Sequence, residues 1–96
     1  MIDKLNKAFE SRVRLGIMSA LMVNDHADFN RLKELLNVTD GNLASHLKAL
    51  ELAEHIAMNK AFIGRKPNTK YKATKQGRKA FGEHIAALEA LIKSNT

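Results

Sequence analysis

Two short helical patterns lie side by side in the middle of the chain, with only a brief segment between them. The first is predicted at about residues 30–37, and its apolar face consists of Phe29, Leu32, Leu35 and Leu36. Thr39 is a suitable N-cap for the second, which runs to about residue 53 and buries a stripe of Leu43, Leu47 and Leu50. Two helices joined by so short a connection form a helix-turn-helix, which restricts what the rest of the chain can be.

The periodicity changes from helical to extended after residue 55. Residues 56–63 are typical of a strand, residues 64–68 of a turn, and residues 69–73 of a return strand. This pattern predicts a β-hairpin with a basic tip. Both registers of the first strand contain apolar residues, so the sequence does not decide which face of the hairpin points inward.

Helical patterns also precede and follow this central part. The first covers about residues 3–23, and Ser11 can cap a second helix within it, which allows a break near residue 10. The last covers about residues 75–93. The sequence therefore predicts a mainly α fold with a small β-hairpin wing. This is a winged helix-turn-helix of order α-α-α-β-β-α, with room for a short extra strand near residues 27–29.

The net charge of +6 is concentrated in one part of the chain. Residues 39–79 contain nine basic and three acidic side chains, and within them residues 58–79 contain eight basic side chains and no acidic one. A solvated basic face is one explanation of such a segment. Because the segment coincides with the second helix of the pair and the hairpin, we expect a surface that binds double-stranded DNA.

The outer face of that second helix follows from its buried stripe. At about 100° per residue, turning the leucines inward turns Gly41, Ser45 and Lys48 outward. Asn42 lies at the edge, where it can read an adenine with two hydrogen bonds. Ser45 suits a base or a phosphate, and Lys48 suits a phosphate. His46 lies between the two faces, where it either packs at the edge of the core or contacts a phosphate.

The hairpin supplies the other candidate contacts. Arg65 and Lys66 lie at its predicted tip, where they can reach phosphates or the adjacent minor groove, and Lys60 and Lys70 flank them on the strands. The basic residues that open the last helix, Lys75, Arg78 and Lys79, are expected to be solvated. The complete set of predicted DNA-binding residues is Thr39, Gly41, Asn42, Ser45, His46, Lys48, Lys60, Arg65, Lys66 and Lys70.

Apolar residues near both ends of the chain indicate a second contact surface. In the last helix they recur at spacings of four, three and four, typical of a helix–helix seam, at Phe81, Ile85, Leu88 and Ile92. The first segment adds Ile2, Leu5 and Phe9. These residues either pack within the subunit or form an interface between two copies of the chain, and the pattern leaves both open.

Three blocks of sequence resemble the MarR/ArsR-like winged helix regulators, and most of all a compact subfamily of them. Residues 36–51 (LNVTDGNLASHLKALE) are similar to the recognition helix, and stretches within residues 64–78 to the wing and the start of the last helix. Residues 11–18 are similar to the opening helix. The resemblance implies a homodimeric transcriptional regulator whose first and last helices form the subunit interface. The residues assigned to that interface are Ile2, Leu5, Phe9, Phe81, Ile85, Leu88 and Ile92.

The chain departs from this family in two ways. Such regulators usually have a glycine between the recognition helix and the wing, whereas this chain has Ala53-Glu54-His55, so the helix is expected to run longer or to end differently. Metal-sensing members have cysteine pairs or an Asp/His/His/Glu set on their terminal helices. This chain has no cysteine and its four histidines are scattered, so we expect no metal site and no cofactor.

Other classes of function are less compatible with the sequence. No nucleophile–base pair, phosphate loop or paired carboxylate indicates an enzyme. A winged helix that binds another protein, or a structured RNA, is the alternative to DNA binding. The absence of a membrane-length apolar run and of a signal-peptide layout leads us to expect a single cytoplasmic domain over residues 1–96. The sequence does not indicate whether a small-molecule effector exists.

Overall fold

The computed structural model describes residues 2–95 and confirms the winged helix-turn-helix arrangement. Two short 3-10 turns at Ile2–Lys4 and Lys7–Phe9 precede the regular elements. These elements are α1 (Arg12–Val23), β1 (Ala27–Asp28), α2 (Phe29–Leu36), α3 (Asp40–Leu52), β2 (Ile56–Ile63), β3 (Lys66–Ala73) and α4 (Lys75–Ser94). None of the helices within residues 2–95 is long and apolar enough to cross a membrane.

The helix-turn-helix is fixed by side chains at its helix ends. The Asp28 side chain caps α2 by accepting a hydrogen bond from the Arg31 N–H at 2.7 Å, and Thr39 caps α3 by accepting from the Asn42 N–H at 3.2 Å. Asn37 ends α2 in the left-handed conformation, with a φ of 52°, which asparagine tolerates better than most residues. These caps satisfy backbone groups that the short helices leave unpaired.

The predicted leucine stripe of α3 is buried as expected. Leu43, Leu47 and Leu50 are at most 1% exposed and join a core that includes Ile17 and Leu21 of α1. Because α3 packs on α1 through this stripe, the opposite side of α3 faces outward.

The sheet resolves the register that the sequence left open. Its strands are antiparallel in the order β1-β3-β2, and β1 confirms the short extra strand expected near residues 27–29. Ile56 lies opposite Ala73, and both are buried, as is Tyr71 two residues earlier. Since alternate residues of a strand share a face, the face of Ile56 and Tyr71 is the one that covers the core.

The hairpin is longer and its turn tighter than the sequence predicted. The turn consists of Gly64 and Arg65 alone, with Gly64 at a φ of 66°, and β3 already begins at Lys66. The sequence placed Pro67 in the turn, yet it lies in β3 opposite Phe62. A proline fits there because β1 pairs with β3 only at Lys70 and Tyr71, so no third strand needs the missing N–H of Pro67.

The prediction of one helix over residues 3–23 is wrong in its first third, although the allowed break near residue 10 is present. The Asn6 side chain accepts a hydrogen bond from the Ala8 N–H at 2.9 Å. Ser11 caps α1 by accepting from the Arg14 N–H at 3.3 Å. Two capping side chains so close together favour short turns over a continuous helix.

Phe9 and Phe81 lie in the core of the subunit and not at its surface, which corrects their assignment to a subunit interface. The Phe9 ring packs edge-on against Phe81, with 5.2 Å between centroids, and lies 4.9 Å from the His55 ring and 5.5 Å from the His84 ring. The Nδ1 atom of His84 accepts a hydrogen bond from the Asn6 N–H at 2.9 Å. This cluster ties the N-terminal segment to α4.

The recognition helix does not run longer than the family pattern implies. It ends at Leu52, and the Glu54 N–H donates to the Glu51 carbonyl at 2.9 Å. Glu54 has a φ of 62°, the left-handed conformation that glycine adopts without steric cost. The chain therefore makes a glycine-like turn with a glutamate, at the place where related regulators usually have glycine.

The start of α4 packs tightly against this turn. The Thr74 hydroxyl donates to the Glu54 carbonyl at 2.6 Å and accepts from the Gly77 N–H at 2.9 Å. The Thr74 N–H donates to the His55 carbonyl at 3.0 Å. A Cβ atom at Gly77 would overlap that carbonyl oxygen, so the close approach of the two segments requires a glycine.

The expectation that Arg78 is only solvated is wrong. Its guanidinium donates to the carbonyls of Leu21 at 3.1 Å and Met22 at 3.2 Å. These carbonyls belong to the last turn of α1, where backbone acceptors have no partner within the helix. Arg78 therefore caps the C-terminus of α1 from α4.

Gly77 and Gly82 of α4 are expected to respond oppositely to alanine. Gly77→Ala should lower the free energy of unfolding by about 1–3 kcal/mol or more, because the new methyl meets a backbone carbonyl that cannot move easily. Gly82→Ala should raise it by about 0.5–1 kcal/mol, because the site is exposed with open space around it and alanine favours a helix over glycine. Urea unfolding of both variants measures the difference, and equal midpoints would contradict this packing of α4.

Candidate nucleic-acid interface

The outward face of α3 presents small and polar side chains to solvent. The predicted contact residues Thr39, Gly41, Asn42, Ser45 and Lys48 are all exposed. The sequence also placed Ala49 on this face, but Ala49 is half-buried, and the exposed small residue is Ala44. A helix with short side chains along its outer face can approach the floor of a major groove closely.

His46 is held at the edge of the core. Its Nδ1 atom accepts a hydrogen bond from the Arg14 Nε–H at 3.0 Å, so the neutral ring has its proton on Nε2. Burial lowers the pKa of His46 below its ordinary value, and the Arg14 cation adds to that effect. Of the two interpretations left open by the sequence, the packing one therefore describes the Nδ1 side of the ring. The Nε2–H is the group left for a DNA contact.

Arg14 is a residue that the sequence did not single out as part of the site. Besides His46, its guanidinium donates to the Ala8 carbonyl at 3.4 Å. One side chain of α1 thus connects the N-terminal segment to the recognition helix. The only signal in the sequence was a basic residue on the first helix, which is indistinguishable from a solvated one.

The wing distributes its basic residues over two faces and a tip. Arg65 and Lys66 are exposed at the turn, and Lys60 is exposed on β2. Lys60 lies opposite Thr69, on the face that covers the core further down the sheet, whereas Lys66 and Lys70 lie on the other face. The structure therefore does not bring all four cations together on one side of the hairpin.

Lys70 is the least free of the predicted wing contacts. It is half-buried, and its cross-strand neighbour on β1 is Asp28. A carboxylate directly opposite a lysine offsets part of its charge. The Asp28 carboxylate also accepts from the Asn68 side chain at 3.5 Å, which keeps the acid beside β3.

The one acidic residue in the first turn of α3 is paired. Asp40 accepts from the Lys33 ammonium of α2 at 2.7 Å. Both side chains are well exposed, so the pair contributes little to stability. Its position matters more, because a lysine beside this carboxylate reduces its repulsion of phosphates at the N-terminus of the recognition helix.

The predicted interface residues fall into two groups. Phe9 and Phe81 are buried within the subunit, and Leu5 is half-buried. The others are exposed, with exposed fractions of 76% for Ile2, 44% for Ile85, 37% for Leu88 and 68% for Ile92. On α4 the exposed members follow a spacing of three and four residues and form one apolar row towards the C-terminal end.

Two further apolar side chains of the wing escaped the sequence interpretation. Phe62 is 74% exposed and Ile63 is 65% exposed. The sequence assigned residues 56–63 to a strand without an inward face, so exposure at these positions was not foreseeable from alternation alone. Within residues 2–95 no group of three or more His, Asp or Glu residues is arranged to hold a metal ion.

Comparison with known proteins gives consistent matches over nearly the whole chain. The family model of the winged helix DNA-binding domain matches residues 13–92. An uncharacterized protein of Methanocaldococcus jannaschii is 41% identical over 88 residues, which cover 92% of this chain and 96% of that protein.

Two solved structures are similar in fold. A transcriptional regulator homologue from Pyrococcus horikoshii OT3 is 29% identical with a TM-score of 0.80, and 96% of each chain is covered. A MarR-family protein from Enterococcus faecalis V583 is 18% identical with a TM-score of 0.71, covering 93% of this chain and 84% of that one. The second likeness concerns the fold alone.

Proposed function

The chain belongs to the family of winged helix DNA-binding domains, and we propose that it is a homodimeric regulator of transcription that binds double-stranded DNA sequence-specifically. In this proposal α3 enters the major groove and the hairpin contacts the backbone or the adjacent minor groove. The observation that supports it best is the exposed, small and polar face of α3 beside a wing with no acidic residue over residues 58–79.

The roles of the individual residues follow from their chemistry. Asn42 is exposed at the edge of α3 and is the base reader, because its amide can bond both to N6 and to N7 of adenine. Lys48, Arg65 and Lys66 contact phosphates and fix the register of the protein on the duplex. His46 offers a single donor, its Nε2–H, since Arg14 occupies the other ring nitrogen.

A wing that only bound another protein would not need eight basic and no acidic side chains over residues 58–79. A structured RNA is the closest competitor, because it shares the phosphate backbone of DNA. Binding of a duplex DNA and of an RNA hairpin of equal length, compared over a salt titration, separates the two. Equal affinities, or no DNA binding at low salt, would contradict the proposal.

Replacing the two cations of the wing tip should weaken binding to every DNA sequence. For each phosphate that Arg65→Ala/Lys66→Ala leaves without its cation, the dependence of log affinity on log salt should flatten by about 1. Lys75→Ala/Lys79→Ala is the matched control, since it removes the same charge from exposed positions on α4. Fluorescence anisotropy at several salt concentrations measures both slopes. An equal weakening of binding in the two double variants would mean that only net charge matters.

Replacing Asn42 should instead change which sequence is bound. Asn42→Ala is expected to cost about 1–3 kcal/mol at one base position and to relax the preference there. Lys48→Ala, on the same helix, should weaken binding without altering the preference. Selection of bound duplexes from a random pool gives the profile of each variant. An Asn42 variant with an unchanged profile removes this residue from the reading set.

The exposed row of α4 and Ile2 supports the dimer. Ala87 is the last buried residue of α4, and the helix continues to Ser94 beyond it. A helical end without tertiary contacts is only marginally stable in water, and a row of isoleucine and leucine along it favours burial against a second copy. The two DNA-binding faces of such a dimer match a palindromic site.

Serine substitutions of the α4 row should yield a monomer. Ile85→Ser/Leu88→Ser/Ile92→Ser removes the apolar surface that the proposed interface buries. Val23→Ser is the control, because Val23 is 83% exposed at the end of α1, away from the proposed interface. Light scattering at micromolar concentration reports the mass of each protein. A monomeric wild-type protein would rule out the interface.

A further inference from the structure

Phe62 is an aromatic side chain in a place where folding does not use it. It is 74% exposed near the tip of the hairpin. Its cross-strand partner is Pro67, which is also exposed. Because paired residues of an antiparallel ladder share a face, Phe62 and Pro67 form one small apolar surface on the wing. Isolated exposed apolar residues are common, but two adjacent ones at a projecting tip indicate a binding surface.

The hairpin holds this surface away from the body of the protein. Every residue of β2 from Met58 onward is exposed, and so are the two turn residues. At about 3.3 Å per residue, Phe62 lies roughly 20 Å along the strand from the buried Ile56. The apolar surface is therefore presented to a partner and is not covered by the subunit's own helices.

The charges around the surface define the chemistry of that partner. Lys60 lies on the same face as Phe62, and Arg65 and Lys66 form and follow the turn. No acidic residue occurs between positions 58 and 79. A partner that complements both the cations and the apolar pair must offer anionic groups on either side of an apolar wall. The minor groove of DNA does so, with phosphates at its rims and sugars and base edges inside.

We propose that Phe62, supported by Pro67, is an apolar wedge that enters the minor groove beside the site of α3, between phosphates bound by Arg65 and Lys66. The proposal rests on the proposed DNA-binding function and adds a contact to it. A minor groove about 6 Å wide is too narrow for two paired strands. Only side chains at the hairpin tip can enter it, and a phenylalanine can unstack the base step that it meets.

Ile63 provides a matched control on the same strand. It is 65% exposed and lies on the opposite face, across from Lys66. Phe62→Ala and Ile63→Ala remove comparable exposed apolar surface one residue apart, so neither should alter the thermal midpoint. Only the first removes the wedge. Circular dichroism melting of both variants establishes that each is folded before binding is compared.

The test combines affinity with a direct readout of base stacking. Phe62→Ala should bind a selected duplex about 5- to 150-fold more weakly, the range for removal of one aromatic–base interaction, with the salt slope unchanged because every cation is kept. Ile63→Ala should bind like the wild type. In a series of duplexes with 2-aminopurine at successive positions, the wild type should brighten one position near the wing. Phe62→Ala should not, and Phe62→Leu should restore part of the signal.

Several outcomes would overturn the wedge. They are an equal drop in affinity in the two alanine variants, wild-type affinity in Phe62→Ala, or a 2-aminopurine signal that does not depend on Phe62. Binding to phosphatidylglycerol vesicles that is abolished in Phe62→Ala, with DNA affinity intact, would assign the surface to a membrane. Failure of the wild type to bind any duplex at low salt would refute the DNA-binding function itself, which is a distinct result.

Discussion

The packing of the α3 leucines against α1 decides the orientation on which the rest of the site depends. Leu43, Leu47 and Leu50 are essentially inaccessible to solvent, and their burial is the main free-energy term that holds α3 in place. A helix buried along one stripe has no freedom to rotate, so its polar face is fixed as well. The same apolar contacts that stabilise the domain therefore select which side chains meet a ligand.

Contacts at both ends of α3 then connect it to the other elements. At its N-terminal half, Arg14 joins His46 to the Ala8 carbonyl, so the position of the N-terminal segment and that of the recognition helix depend on one side chain. At its C-terminal end, the left-handed turn at Glu54 is held by the hydroxyl of Thr74, which also begins α4. The reading helix is thus fixed relative to both elements that flank the proposed dimer interface.

Elements with strong local signals could be predicted from the sequence, while features set by tertiary contacts could not. The helices and the strand Ile56–Ile63 were predicted because their periodicity and caps are local. The break before α1 was allowed but not required, since a cap at Ser11 is compatible with either outcome. Phe9 fits an amphipathic pattern equally well as a surface or core residue, and only the aromatic rings around it decide. Arg14 and Arg78 owe their roles to acceptors that are distant in sequence, which no single-sequence pattern contains.

The freely projecting hairpin separates two kinds of selective pressure. From Met58 to Pro67 every residue is exposed, so substitutions there change little of what stabilises the fold, apart from the turn geometry that Gly64 provides. The core helices tolerate far less change, as the tight packing at Gly77 illustrates. Related chains can therefore diverge at the wing while their scaffold stays constant, and recognition of new targets can evolve in small, individually viable steps.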